Sequence, residues 1–346
     1  MNDRPAAPAS PPQQDVHRTT LVLDTHVDIP WPSMPDPAEE TRRQVDFAKM
    51  RAGGMGAAIF IAYVPQGPRT PEAHAAAAER AEAMLRAIAA TAGPGRGRFC
   101  TTAGELAAAH AAGSLAILCA VENGYAMGHD LSLLAKWRRL GAVYVTLTHD
   151  GHNEIADSAR PRAELGDGVA LHGGLSALGR ATVVEMNRVG LLIDVSHVAK
   201  PAMLQAVGLS RAPVVATHAC CRALCDHPRN LDDEQLDALR DTAGLVQITA
   251  VPAFLRPGAP GTRVSASVKD YVDHVDYAVA RIGIEHVGLS SDFDGGGGLT
   301  DWKSAADTAT VTAELVRRGY SAGDIRLLWS GNFLRLMRCA ALVARG

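Results

Sequence analysis

Residues 21–30 read LVLDTHVDIP, three apolar residues followed by Asp24, His26 and Asp28 on alternate positions. Side chains two apart in an extended segment face the same way, so a strand here would carry His26 and Asp28 towards one centre. Short β-rich apolar runs of this kind recur along the chain. They are GAAIFIAYV (56–64), SLAILCAVE (114–122), AVYVTLTH (142–149), GLLIDVSH (190–197), APVVATH (212–218), GLVQITAV (244–251) and HVGLSSDFDG (286–295). With 21–30 they make eight, and six of the eight carry His, Asp or Glu at the end or within two residues of it.

Helical stretches separate the runs. The clearest is 71–91, with Pro71 at its start and glycines after its end; 101–113 opens with Thr102 followed three residues later by Glu105, a capping box. Further helices are expected over 38–52, 130–140, 173–189, 199–208, 232–241 and 267–282, and two more over 303–318 and 321–343 close the chain. Eight β-then-α units predict an α/β fold with a parallel sheet closed into a (β/α)8 TIM-type barrel of the metal-dependent hydrolase kind. The active site of such a barrel lies at the C-terminal ends of its strands. An open doubly wound sheet is the rival, but no G-x-G-x-x-G turn follows the first run, and ligands spread around a ring need closure.

The 346 residues carry 34 Lys+Arg against 37 Asp+Glu, a formal charge of −3, which makes no electrostatic case for nucleic acid or an anionic membrane. Residues 1–18 are rich in Pro, Ala and Gln with no apolar run, and are expected to form a flexible N-terminal tail without the features of a signal peptide. Residues 19–346 are then a single barrel domain. No window is long and apolar enough to span a bilayer, so a cytoplasmic location is expected. The six cysteines are read as unpaired buried thiols, and Cys220, Cys221 and Cys225 lack the C-x-x-C spacing of a zinc knuckle.

The candidates for the barrel mouth are His26, Asp28, Glu122, His149, His197, His218, Asp292 and Asp294. Each alone reads as a hydrogen-bonded or salt-bridged strand end. Jointly they would crowd charge at one rim unless cations partner them. Histidines with carboxylates suit zinc, and a pair of metals needs a bridging carboxylate, for which Glu122 is the natural residue. Asp292 could then move a proton from the nucleophilic water to a leaving amine, and His149 could stabilise an oxyanion.

DTHVDIP, AVENG, YVTLTHDGHNEIADS, LLIDVSH, PVVATHACCRALCDHPRNLDDEQL, HVGLSSDFDG and SGNFLRLMR, in this order, closely resemble the renal-type (membrane) dipeptidases of peptidase family M19, in the amidohydrolase superfamily. The resemblance runs from about residue 20 to 342. It implies a barrel with two zinc ions that hydrolyses small dipeptides, L-Xaa–D-Xaa among them, by attack of a metal-bridging hydroxide. By motif, His26 and Asp28 match ligands of the first metal, Glu122 the bridge, and His197 and His218 ligands of the second. His149 matches the histidine on the substrate carbonyl and tetrahedral intermediate, Arg229 the arginine on the substrate's C-terminal carboxylate, and Asp292 the acid/base. A homodimer is implied by resemblance alone.

Two other readings stay open: a barrel retuned to another amide (a β-lactam, a cyclic amide, an N-acyl amino acid), and a non-catalytic barrel. Asn153 and His152, just past His149, are candidates for substrate contact. Asp24 is expected to orient His26, and Gly295–Gly298 to form a flexible rim loop. His17, His74, His110, His129 and His172 are expected at the surface.

Overall fold

The computed structural model describes residues 13–259 and 262–346. Nine strands form one sheet: β1 (Leu23–Asp28), β2 (Ala57–Tyr63), β3 (Arg98–Phe99), β4 (Ala116–Glu122), β5 (Ala142–Thr146), β6 (Leu192–Asp194), β7 (Val215–Ala219), β8 (Leu245–Ile248) and β9 (Val287–Leu289). Eight of them pair in parallel in the order β1-β2-β4-β5-β6-β7-β8-β9, with the two-residue β3 attached to β4 beneath the helix Ala103–Ala111. This is the expected (β/α)8 barrel.

Alternation along the strands sorts residues between two layers. Ala58, Phe60 and Ala62 of β2 belong with Met84, Leu85 and Ile88 of the helix Pro71–Ala90, whereas Ala57, Ile59 and Ile61 belong with Leu118, Ala120 and Tyr144. Strands covered on both faces must be apolar throughout, which is why they appear in the sequence as continuous runs. The capping box at Thr102–Glu105 is present as read, and Pro71 occupies the first turn of its helix.

The ring closes without a regular ladder between β9 and β1. Asp28 N–H donates to the Phe293 carbonyl (2.9 Å) and Asp292 N–H to the His26 carbonyl (3.1 Å). The Asp24 Oδ1 accepts from both Ser291 N–H (3.1 Å) and His26 N–H (3.2 Å). β1 also carries an extra residue: Asp24 and Val27 pair with Ala58 and Phe60, three steps against two. Such a bulge bends a strand and re-aims its side chains. It separates Asp24, which laces the seam, from Asp28, which faces the barrel mouth.

Three expectations are corrected. Residues 13–18 are not a flexible tail: Gln13–Thr19 is helical, with Val16 and His17 buried, because apolar Val16 finds a place in the main core; residues 1–12 of that expected tail lie outside the described residues. His17 and His74 are not surface residues. His17 Nε2 lies 2.8 Å from the Gly53 carbonyl and its Nδ1 2.7 Å from Thr312 Oγ1, and His74 Nε2 is 3.1 Å from Glu154. The helix expected over 321–343 is interrupted by a π-turn at Leu327–Gly331, and 303–318 is helical from Ala309 to Arg317 after a 3-10 turn at Ala305–Asp307. All six cysteines are unpaired, and Cys220, Cys221 and Cys225 point their thiols at backbone carbonyls.

Candidate metal centre

The strand ends converge at one mouth. β1 brings His26 and Asp28, β4 ends on Glu122, and β7 carries His218. His149, His197 and Asp292 each lie three residues beyond the last residue of β5, β6 and β9. Glu122 stands at the centre. Its Oε2 is 3.7 Å from His26 Nε2, and its Oε1 is 3.3 Å from His197 Nε2 and 3.4 Å from His218 Nε2. His26 Nε2 is 3.8 Å from Asp28 and 4.0 Å from Asp292. Three overlapping groups of donors can each hold an ion: His26, Glu122 and His218; Glu122, His149 and His197; His26, Asp28 and Asp292. The five expected ligands are therefore in one place, with Glu122 shared by two of the groups.

Tautomers are set from behind. Tyr144 Oη donates to the Thr25 carbonyl (2.9 Å) and so accepts at 2.9 Å from His26 Nδ1–H, which turns Nε2 to the centre, where a proton or a cation can sit. Thr217 Oγ1 donates to Asp194 (2.7 Å) and accepts from His218 Nδ1–H (2.9 Å), and Asp194 also takes Thr146 Oγ1–H at 2.6 Å. His197 Nδ1 faces Asp150 at 3.3 Å. All three imidazoles thus present Nε2 with Nδ1 occupied, the arrangement that orients metal-binding histidines. Tyr144, Asp150, Asp194 and Thr217 had no part in the sequence reading, since three lie inside strand runs and the fourth just past one, where only the terminal His, Asp or Glu was weighed.

The electrostatics call for added positive charge. Burial would lower the His26 pKa, yet Glu122 first, then Asp28 and Asp292, outweigh it and push it up to about 10. A divalent cation would supply at this point what the proton supplies in the bare protein, so the residues fit such ions. Burial raises Asp292 to about 6, with Glu122 adding to the rise and His26 opposing it. Burial, reinforced by His197, lowers His149 to about 3, so its imidazole is neutral. Its ring lies 4.1 Å from that of His197 and 4.8 Å from that of Tyr63, a strand-end phenol that the reading of charged termini passed over. Burial, with Glu122 and Asp28 nearby, pushes Tyr63 up to about 12.

A cavity of about 910 Å³ opens over these groups, lined among others by Asp28, Tyr63, Glu122, His149, Asp292 and Arg229. Arg229 is buried, donates once to the His218 carbonyl (3.1 Å) and lies 5.4 Å over the Phe254 ring. It has no carboxylate partner among the described residues, and its Nε has no hydrogen-bond partner. A buried guanidinium left this way awaits an anion.

Other expected residues sit elsewhere. Asn153 does not reach the cavity, a correction to its expected substrate contact: its Nδ2 donates to the Leu147 carbonyl (2.8 Å) and its Oδ1 accepts from Ile155 and Ala156 N–H, so the side chain is consumed in shaping its own loop. His152 is likewise held between Ser158 N–H and the Gly168 carbonyl. Asp294 is turned to Arg43 (3.2 Å) and Gln44 N–H (2.8 Å) rather than to the centre. The Gly295–Gly298 loop is tied down by hydrogen bonds where a flexible rim was expected: Gly295, Gly296 and Gly297 N–H all point at the Asp292 carbonyl. His197 (φ 67°) and Asp292 (φ 60°) adopt left-handed backbone, a cost tolerated where function requires it.

Among known proteins, the chain is 33% identical over 322 residues to dipeptidase aclJ of Aspergillus oryzae, covering 89% of this chain and 72% of that one. It superposes with a TM-score of 0.89 on the probable dipeptidase PvdM of Pseudomonas aeruginosa, at 29% identity and 96% and 98% coverage of the two chains. It superposes at 0.80, with 25% identity and 93% and 99% coverage, on a metallo peptidase of Rhodobacter sphaeroides liganded with a phosphinate mimic of the dipeptide L-Ala-D-Ala. The family model for membrane dipeptidase matches residues 12–346. With the barrel, the convergent donors and this match in hand, the chain belongs to the membrane dipeptidase family, peptidase family M19, and is a metallo-dipeptidase.

Proposed function

We propose that this protein hydrolyses dipeptides, L-Xaa–D-Xaa among them, with two zinc ions held by His26, Asp28, Glu122, His197 and His218 and shared through Glu122. The observation that carries it is the placement of an unpaired buried cation, Arg229, in the same cavity as the donor cluster. The pair supports a substrate with a carboxylate at one end and a scissile amide a short distance away. The dipeptide mimic on the Rhodobacter sphaeroides enzyme supports the same substrate class.

Divalent ions bound there would acidify a water molecule and polarise an amide carbonyl. Arg229 holds the C-terminal carboxylate with a planar fork of N–H donors, which also fixes the register of the amide. Asp292, raised to about 6, is mostly ionised at neutral pH, so it can accept a proton from water and return it to the departing amine nitrogen. His149, neutral and half-buried, offers its ring N–H to the carbonyl oxygen as negative charge develops there. Glu122 supplies charge at the centre and stays ionised: burial opposes this, but His26 first, with the His197 and His218 rings beside it, holds its pKa well below the usual range.

We place the enzyme in the cytoplasm as a dipeptide-handling protein without nucleic-acid or membrane partners, and as a homodimer. Its charge balance supports the lack of nucleic-acid partners, and no described helix is long and apolar enough to cross a membrane. The test is zinc-reconstituted protein assayed on L-Ala–D-Ala, with Asp292→Asn and Arg229→Ala. Asp292→Asn should keep its metal and lose turnover by orders of magnitude, while Arg229→Ala should raise KM. Full activity of either variant would overturn the role given to that residue.

A further inference from the structure

We propose, resting on the dipeptidase reading above, that a second cavity beside the metal pocket receives the side chain of the substrate's C-terminal residue and selects for a carboxylate on it. The cavity measures about 680 Å³ and shares Val251, Ala253 and Gly296 with the metal pocket, so the two lie side by side across these residues. Its charged lining residues are Arg263 and Lys303, and no acidic residue lines it. Neither cation has an ion-pair partner among the described residues. In a chain with more acids than bases, a cavity lined by two free cations and no acid marks a preference for anions.

The position of the opening identifies which part of the substrate enters. One edge is Gly296, four residues beyond the proton-transferring Asp292 and hydrogen-bonded to its carbonyl (3.1 Å). The other edge is Val251 and Ala253, the latter in the short helix Pro252–Leu255 whose Phe254 ring underlies Arg229. The opening therefore lies between the group acting on the scissile amide and the group holding the terminal carboxylate. In a dipeptide, the side chain between those two points belongs to the C-terminal residue. The N-terminal residue is left the opposite side, by Tyr63, His149 and Asp150.

The wall is built rather than loose. Gln44 Nε2 donates to the Gly297 carbonyl (3.0 Å) and the Lys303 carbonyl (2.9 Å), while its Oε1 accepts from Asp294 N–H (2.7 Å). Gly298 N–H donates to the Ala250 carbonyl and Thr300 N–H to the Ala266 carbonyl, each at 2.9 Å. These bonds tie the cationic wall to the loop that carries Asp292, so an anion seated there is held in register with the reacting amide. The cations are solvent-facing, so each contact is modest and sensitive to salt.

The experiment compares kcat/KM of the metal-loaded full chain on L-Ala–D-Glu, L-Ala–D-Gln and L-Ala–D-Ala, at low and high salt. The expected result is a preference for D-Glu over its uncharged isostere of about tenfold, shrinking as ionic strength rises. The double variant Arg263→Glu with Lys303→Glu should lose that preference and favour L-Ala–D-Lys instead. Both positions are exposed, so folding is not at stake, which circular dichroism of the variant checks. Equal rates on D-Glu and D-Gln in the parent, or a preference that survives charge reversal, would overturn the inference while leaving the dipeptidase reading intact. Failure to cleave any of the three with metal bound would overturn both.

Discussion

Gly295→Ala should separate metal binding from folding. A Cβ added at Gly295 would stand 1.9 Å from Asp28 Oδ2 and 2.5 Å from Asp292 Oδ1. An ordinary carbon–oxygen contact is no closer than about 3.2 Å, so the Asp28 carboxylate must retreat by about 1.3 Å, whereas metal–ligand distances tolerate about 0.2 Å. Asp28 cannot then remain a ligand alongside His26. The obstructing atoms are the ends of side chains and Gly295 does not occupy left-handed backbone, so the fold itself need not move. Replacing glycine where the backbone suits alanine stabilises by about 0.4–1 kcal/mol through the unfolded chain. The metal-free variant should therefore unfold at the parent's temperature or slightly above. Its affinity for the first ion should fall by at least the roughly 10–100-fold seen for disturbed outer contacts, with activity falling alongside. Calorimetric metal titration and thermal melts of the apo-protein read the two quantities separately. A variant that binds two ions with parental affinity would refute the placement of Asp28, and so the geometry of the first site. Gly297→Ala is the control in the opposite sense: its Cβ would meet the Ser291 carbonyl oxygen at 1.9 Å and the Asp292 backbone at 2.8 Å, so backbone must shift and about 1–3 kcal/mol of stability should go.

Tyr144→Phe removes the acceptor of His26 Nδ1–H, and metal affinity should drop about 10–100-fold while the buried ring still fills the barrel, as read by metal titration against melting temperature. At the seam, Asp24→Asn keeps an oxygen for Ser291 and His26 N–H and should retain much of the parental activity, whereas Asp24→Leu orphans both donors and should cost about 2 kcal/mol or more in a denaturation curve. His17 is held below its ordinary pKa by burial, with the Gly53 carbonyl opposing in part, so the unfolded chain takes up the proton first as pH falls past about 6.5. Stability from this residue is thus complete above that pH and lost below it; His17→Gln should flatten that part of the melting-temperature profile, and an unchanged acid slope would refute the assignment.

The barrel was legible because its strands are covered on both sides and must be apolar along their length, and because each run ends where the chain leaves the core for the rim. GAAIFIAYV and SLAILCAVE show this plainly. Helix ends were legible where local chemistry caps them, as at Thr102 and Glu105. The ligands were legible because a barrel sends every strand's C-terminal end to one face, so His26, Glu122, His149, His197 and Asp292 need only the fold to meet.

Other features depend on partners distant in sequence. Asn153 follows His149 by only four residues, yet the loop consumes its amide, which no local pattern announces. His17 is buried because Thr312, 295 residues away, receives it. The glycine run after Asp292 looked free to flex, but side chains of Asp28 and Asp292 and the backbone of Ser291 occupy the space a Cβ would need.

The sequence by itself determined the alternation that closes the barrel and the kinds of donor delivered to its rim, since both rest on local polarity and on which residues end each strand. Only the tertiary structure decided which way the donors face. The β1 bulge turns Asp28 inward while Asp24 laces the seam, and Tyr144, Asp150 and the Thr217–Asp194 pair fix three tautomers. The physical reason is that a hydrogen bond constrains direction, and the partners of His26 and His197 lie 118 and 47 residues away, while Thr217, next to His218, is itself aimed by Asp194 23 residues away.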